Sequence, residues 1–384
     1  MAGSDVIRYE PVRLHDIFPP AGPPATGWWQ PLAGSATDAA VTPSGAHGLV
    51  CALGSIEGHG AVILPAYTCD RVLSAVLAGG DTPRFVDVDE GSGAFHWPSL
   101  EKAVSAGAKA IILTPLFGAY PDRKAVLDLA RQHGVAVVED RAVTIWAPLA
   151  DERPADFAAF SFGRGKPIAL GTGGMVVAWS GARLREPTIP GTQPPGGPGL
   201  SALVKGWLWN GRWTLEASRL VSRLRPSRSP AGASHPARGA VPPAGTSRAL
   251  VQAVAHLVAR TDIGALAAAR ARVLDMYLSG FRRAGLVELA ESAGRRLSGG
   301  IVSQALALRC PDRNRVLQEL RLAGVDIPAY WQYAIGTSFS GDLFPGASTL
   351  ARELVFLPLH SKVHEGDVQA VTTVLKRYEA VAFS

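Results

Sequence analysis

The sequence is poor in cysteine, methionine and aromatic rings: three, three and 7% of its 384 residues. Cys51, Cys69 and Cys310 are too few and too far apart for a disulfide framework or a zinc cluster, so no metal site is expected. Such sparse thiols suit a reducing compartment, expected to be the cytoplasm. No apolar run reaches the roughly 18–20 residues that span a bilayer. The N-terminus has no basic start followed by an apolar stretch, so no secretory signal is expected. No Gly-x-Gly-x-x-Gly follows the first expected strand, which argues against a dinucleotide-binding dehydrogenase. Charged residues make up only 18%, against 47% hydrophobic, the balance of a globular chain. At this length two domains are the natural expectation.

The net charge of +6 is concentrated in one place. Residues 182–248 hold nine arginines and one lysine against Glu186 and Glu216, a local balance of +8 that leaves −2 for the remainder. A basic segment of this kind does not make the whole chain a nucleic-acid binder, and no nucleic-acid partner is expected. Within it, 186–199 and 226–245 are rich in Pro and Gly. Between them a helical stretch carries Trp207, Trp209 and Trp213 beside Lys205, Arg212, Arg219 and Arg223. Two readings stay open: contact with a membrane surface through 200–225, or a helix packed on its own domain with solvated arginines.

The order of the remaining segments predicts the fold class. Residues 11–43 read as an irregular leading arm around Trp28-Trp29. Ser44 is a good N-cap for an apolar helix over 45–53, and Gly45 and Ala46 are small enough for an anion to reach the first N–H groups. An ordinary capped helix is the commoner use of such a start, and both readings stay open. Strands are expected at 61–64, 84–88, 110–114, 135–138, 157–160 and 175–179, with helices at 71–78, 100–105 and 123–133 between them. Apolar strands alternating with helices predict an α/β fold with a mainly parallel sheet covered on both faces. A long helix over 249–282, with a break near Asp262 and Gly264, leads to a small α/β unit. There, strands are expected at 300–308 and 355–357, and helices at 312–323, 350–354 and 364–378. The expected division is a large domain over 1–248, with a basic insertion at about 185–248, and a linking helix with a small C-terminal domain over 249–384.

Ligands of parallel sheets sit at the carboxyl ends of the strands. That rule selects Tyr67-Thr68, Phe117-Gly118, Glu139-Asp140 and Lys166. Lys166 stands in Ser161-Phe162-Gly163-Arg164-Gly165-Lys166-Pro167, flanked by Phe162, Ile168 and Leu170. Such a setting can desolvate an amine, lower its pKa and let it hold a carbonyl cofactor as a Schiff base. The competing reading is a strand-end lysine with its ammonium in water. Asp140, for its part, either caps the next segment or pairs with a buried cation, such as the protonated ring nitrogen of a cofactor.

These motifs occur in a recognisable order: Ser44-Gly45 at a helix start, Pro65-Ala66-Tyr67-Thr68, Phe85-Val86-Asp87-Val88-Asp89, Leu116-Phe117-Gly118, Val138-Glu139-Asp140, Ser161 five residues before Lys166, Gly173-Gly174, and Leu357-Pro358-Leu359-His360. The set resembles the DegT-type sugar aminotransferases, a branch of the fold-type I pyridoxal 5'-phosphate (PLP) enzymes. The resemblance runs over about 43–180 and 300–378. It implies that Lys166 binds PLP and shuttles the proton, that Asp140 holds the pyridinium proton, and that Ser161 with Ser44, Gly45 and Ala46 binds the phosphate. It also implies transfer of an amino group from an amino acid, expected to be glutamate, to a keto-sugar, expected to be nucleotide-linked, in glycan or natural-product biosynthesis. A homodimer is implied as well.

Four departures from the family pattern stand out. Cys69 replaces the aromatic residue that stacks on the cofactor, leaving Tyr67 as the expected cofactor-binding ring. Val143 replaces the polar residue near the phenolic oxygen. Arg141 stands where a small residue is usual. Gly245-Thr246-Ser247 replaces an Asn-Tyr-Arg segment, with Arg248 as a possible substitute for the lost phosphate contact. These changes motivate an alternative: a PLP-fold protein with altered or lost transamination, serving as a binding or membrane-associated module in polysaccharide assembly, peripheral at the inner membrane face.

Overall fold

The computed structural model describes residues 24–116, 123–146, 154–163, 165–179, 182–185, 241, 245–296, 301–325, 327 and 343–382. The expectations for Phe117-Gly118 and for 186–240, including the Trp-bearing stretch 200–225, lie outside the described residues.

A seven-stranded sheet organises the larger part. Its strands in chain order are β1 (Asp38–Thr42), β2 (Ala61–Pro65), β3 (Thr82–Val86), β4 (Ala110–Leu113), β5 (Ala136–Asp140), β7 (Phe157–Ser161) and β8 (Gly174–Ala178), with the short β6 (Thr144–Trp146) outside it. The spatial order is β1-β8-β7-β5-β4-β2-β3. From β3 to β7 all neighbours are parallel; β8 runs antiparallel to both β7 and β1. The strands read as continuous apolar runs because both faces are covered. One face packs Val62, Leu64, Val138 and Ala159 against Leu49, Leu53 and Val76 of the helices α2 (Gly45–Ser55) and α3 (Asp70–Ala78). The other packs Ile63, Ile111 and Val137 against α4 (Trp97–Ser105) and α5 (Arg123–Gln132).

Two expectations are corrected in this region. The leading arm is not irregular throughout: a short turn of helix, α1 (Gln30–Ala33), and edge strand β1 lie within it. Only Asp38 to Thr42 of the Pro- and Gly-rich arm pairs with β8, so local composition hid the strand. Strand β3 begins at Thr82 and includes Pro83, which an edge strand tolerates because one side of it has no ladder to complete.

Beyond the sheet, the expected long helix is two: α6 (Arg248–Ala259) and α7 (Ile263–Arg283), meeting at 72°. Asp262 makes the break by capping α7, its carboxylate accepting the Ala265 N–H at 2.9 Å. After α8 (Val287–Arg296), the expected strand 300–308 is also two. β9 (Ile301–Ser303) pairs with β6, while β10 (Ala305–Arg309) pairs with β11 (Leu354–Pro358) and β12 (Val381–Ala382). Helices α9 (Arg313–Leu322), α10 (Pro345–Glu353) and α11 (Glu365–Leu375) complete the smaller unit. Asp87, beyond the end of β3, caps α10 by accepting the N–H groups of Gly346 and Ala347 at 3.0 and 2.9 Å. No single described helix is long and apolar enough to cross a membrane.

A close backbone contact joins the start of α2 to the hairpin between β7 and β8. Ser44 bridges Gly173, and the Gly173 N–H donates to the Pro43 carbonyl at 3.1 Å. A side-chain carbon added at Gly174 would lie 2.5 Å from the Ser44 carbonyl carbon and 2.7 Å from the Gly45 nitrogen. Those neighbours are backbone and cannot step aside. Gly174→Ala is therefore expected to lower stability by about 1–3 kcal/mol, read as a lower urea midpoint; an unchanged midpoint would mean the backbones are not held this close.

Candidate functional site

The hairpin that carries Lys166 is built by local backbone bonding. The Phe162 N–H donates to the Gly173 carbonyl at 2.9 Å and the Leu170 N–H to the Phe162 carbonyl at 2.8 Å, closing a loop over 163–169. Gly165 sits at φ 74°, a left-handed turn that only glycine adopts freely, and it delivers the chain to Lys166. Phe162, Ile168 and Leu170 are buried in the core beneath, while Lys166 is half-buried.

Lys166 opens into a cavity of about 420 Å³ that Ser44, Gly45, Ala46, Asp140 and Ser161 also line. Six of the seven predicted site residues thus share one cleft, within the roughly 300–1,000 Å³ of small-molecule sites. The seventh, Tyr67, is not among the described lining residues. Its ring is fully buried against Val88, Leu116, Ala307 and Phe356, where the two sheets meet. Cys69, two residues on, lines the cleft instead. A strand-end rule cannot tell which of two nearby residues turns inward.

Each group is set by its surroundings. Ser44 caps α2 as expected, but its hydroxyl is engaged: Oγ lies 2.8 Å from His47 Nδ1 and accepts the His47 N–H at 3.5 Å. Ser161 Oγ accepts the Gly163 N–H at 3.5 Å and stands over Gly45, where an added Cβ would meet the Ser161 Cβ at 2.8 Å. Burial raises the Asp140 carboxyl pKa, with the Lys166 charge and the Ala142 N–H, at 3.1 Å, pulling the other way. Burial likewise pushes the Cys69 thiol up to about 12, again opposed by Lys166. One ammonium thus acts on both an acid and a thiol of the cleft. Val143 lines the cleft as well.

Arg141 turns away from this cleft. On β5, Asp140 faces α2 while Glu139 faces the opposite side, as alternate strand residues must. Glu139 is fully buried and takes Arg123 Nε at 2.8 Å and Arg141 Nε at 2.7 Å. The Arg141 guanidinium also lies 3.8 Å from the centre of the Trp146 ring. A large residue stands at 141 because it pairs with a buried acid two positions back. Arg248 is the first residue of α6, capped by Ser247 through the Leu250 N–H at 3.2 Å, and is not among the described lining residues.

His47, Arg71 and Val241 line the cleft without having been singled out. Arg71 was findable: it lies in the first turn of α3, two residues after Cys69 at the same sheet edge. It is exposed and has no ion pair among the described residues. Val241 lies beyond a long Pro-rich stretch whose path no local pattern predicts.

Residues 32–186 match the model of the DegT/DnrJ/EryC1/StrS aminotransferase family. Among curated proteins the chain is 39% identical over 140 residues to the UDP-N-acetyl-3-dehydro-alpha-D-glucosamine 3-aminotransferase of Acidithiobacillus ferrooxidans, covering 35% of this chain and 38% of that protein. It is 32% identical over 134 residues to the GDP-perosamine synthase of Escherichia coli O157:H7, covering 34% and 36%. The chain thus matches less than two-fifths of the length of these relatives. Among solved structures, the PLP form of Spr1654 from Streptococcus pneumoniae superposes with a TM-score of 0.67 at 18% identity, over 97% of this chain and 98% of that one. DesV of S. venezuelae, in complex with a ketimine intermediate, gives 0.64 at 23%, over 93% and 89%. The fold is that of the PLP fold-type I aminotransferases, and the likeness extends through the C-terminal part that the family match leaves out.

The raised Asp140 carboxyl has a measurable consequence. The native group holds its proton more tightly than the unfolded one. Its contribution is therefore favourable below the unfolded value and is lost as pH rises through the raised native value. Asp140→Asn, permanently neutral, is expected to raise the urea midpoint of ligand-free protein at neutral pH, with the gain shrinking on acidification. A gain that grows toward acid pH would contradict the assignment.

Proposed function

We propose that this chain, which carries the DegT/DnrJ/EryC1/StrS aminotransferase pattern over residues 32–186, is a PLP-dependent aminotransferase. It moves an amino group from an amino acid, glutamate in our reading, to a nucleotide-linked keto-sugar or sugar-like ketone in glycan or natural-product biosynthesis. The observation that carries the reading is the convergence of Asp140, Ser161, Lys166 and the start of α2 on one cleft. The names of the relatives support the substrate class. A homodimer, which rests on the resemblance, and a cytoplasmic location, which rests on the sparse cysteines, belong to the reading.

The donor set fits the cofactor. Asp140 is a desolvated carboxylate that a ring cation would relieve. Gly45 and Ala46 open a helix whose first N–H groups favour a phosphate, with the Ser161 hydroxyl alongside. When bound, PLP supplies a ring that withdraws electrons from the substrate carbon. With PLP bound, Asp140 would hold the proton on the ring nitrogen. Lys166 Nζ would hold the cofactor and would be the group in the cleft to accept and return the substrate's proton. Phe162, Ile168 and Leu170 keep water from beneath the lysine.

A second reading rests on Cys69 and Val143, which put a neutral thiol and an alkyl group where ring-stacking and polar contacts are usual. In it the chain binds PLP but runs an altered reaction, or none, and serves as a binding module. Borohydride is expected to fix PLP to Lys166 in purified protein, and glutamate is expected to convert the cofactor to its pyridoxamine form. Lys166→Ala is expected to lose the fixation and to slow the conversion by about 10²–10⁴-fold. Wild-type protein that takes up no PLP would end both readings; bound PLP that no amino donor converts would select the second.

A further inference from the structure

Arg270 lies inside α7, only 5% exposed, and its Nη2 donates to the Pro167 carbonyl at 3.2 Å. Pro167 is the residue after Lys166. The ends of the lysine loop are closed by the Phe162 and Leu170 bonds, but its middle is thinly held. Among the described residues, the one other hydrogen bond to the backbone of 165–168 runs from the Lys166 N–H to the Gly163 carbonyl, a long 3.3 Å. A buried guanidinium is costly to place, and placing it on a loop carbonyl spends a strong donor on backbone position.

The charge of the same arginine also reaches the end of the second sheet. His360, in the turn after β11, is 4% exposed, and burial together with the Arg270 charge holds its imidazole neutral, with a pKa near 3. Its Nδ1 accepts the Lys362 N–H at 3.2 Å, which puts the ring proton on Nε2; that nitrogen has no hydrogen-bond partner among the described residues. A neutral imidazole beside the guanidinium does not draw it away from the loop, as a carboxylate at the same place would.

We propose that Arg270 is a positioning residue for Lys166: by holding the Pro167 carbonyl it fixes the peptide that aims the amine into the cleft. The proposal rests on the aminotransferase reading for its purpose, but not for its test. Arg270→Met removes the donor at similar length; Arg270→Lys keeps the charge and one point of contact. In hydrogen exchange followed by mass spectrometry, the segment 165–170 of Arg270→Met is expected to exchange about tenfold faster than wild type, with β2 and β3 unchanged and Arg270→Lys in between. At saturating PLP, borohydride fixation to Lys166 is expected to fall about tenfold in Arg270→Met, since small misplacements of a reacting group are costly. Affinity for pyridoxamine 5'-phosphate, which has no aldehyde to react with the lysine, is expected to stay within about twofold of wild type because its phosphate contacts are untouched. Unchanged exchange at 165–170, equal acceleration everywhere, or full fixation despite a loosened loop would each overturn the proposal. If wild type fixes no PLP, the aminotransferase reading fails, and the exchange pattern alone decides whether Arg270 holds the loop.

Discussion

The structure depends on two backbones meeting with no side chain between them. The start of α2 presses on the β7–β8 hairpin at Ser44, Gly45, Gly173 and Gly174, where any added carbon at Gly174 would fall within 2.7 Å of backbone. Gly173, at φ 91°, is also in a conformation other residues avoid. This contact decides where the helix N-terminus lies relative to Ser161, and the same hairpin carries Lys166. The helix start and the amine on the loop are thereby fixed in one frame. Their separation does not depend on any flexible side chain packing between them.

A second constraint acts through strand β5. Its last two residues are both acids, and pleating sends them to opposite faces. Glu139 is compensated within the protein by Arg123 and Arg141, under the Trp146 ring. Asp140 is not compensated to that degree: a backbone N–H and the Lys166 charge oppose its burial, yet its carboxyl remains raised. Adjacent carboxylates in one strand thus show the difference between an acid that finishes the core and an acid left waiting for a cation. The doubled arginine on Glu139 stiffens the strand end that presents Asp140.

Much of this was legible in the sequence because parallel strands buried on both faces leave long apolar signatures; of the six predicted residues that line the cleft, Asp140 and Lys166 follow from the strand-end rule, Ser44, Gly45 and Ala46 from the helix start, and Ser161 from the family resemblance. The failures have local causes. Strand β1 is short and embedded among prolines and glycines, and its pairing with β8 is made over more than 130 residues, beyond any window of periodicity. Ser303–Ala305 interrupts what reads as one strand, since β9 and β10 serve different partners. Tyr67 and Cys69 lie two apart after β2, and which of them enters the cleft depends on β10 and β11 covering the tyrosine, a tertiary fact. Arg141 looked like a disturbance of the cofactor pocket and proves to belong to the opposite face.

The tyrosine's burial carries a further consequence for the cleft. With Tyr67 committed to the seam between the two sheets, no Phe, Tyr or Trp stands among the described lining residues to replace the ring that stacks on a cofactor in the resembling family: Cys69, Val72, Ala142 and Val143 are small or aliphatic, and the His47 imidazole is engaged with Ser44 Oγ. A planar ligand would then be held less by stacking than by its charged ends. Those ends are where this chain is well provided, with Asp140 at one, the start of α2 and Ser161 at another, and the exposed Arg71 guanidinium at the rim. Affinity placed in charge-assisted contacts rather than in a ring face falls with ionic strength, whereas stacking does not. The residues at 69 and 143 therefore shift the balance of forces that the cleft offers a planar ligand from its face to its ends.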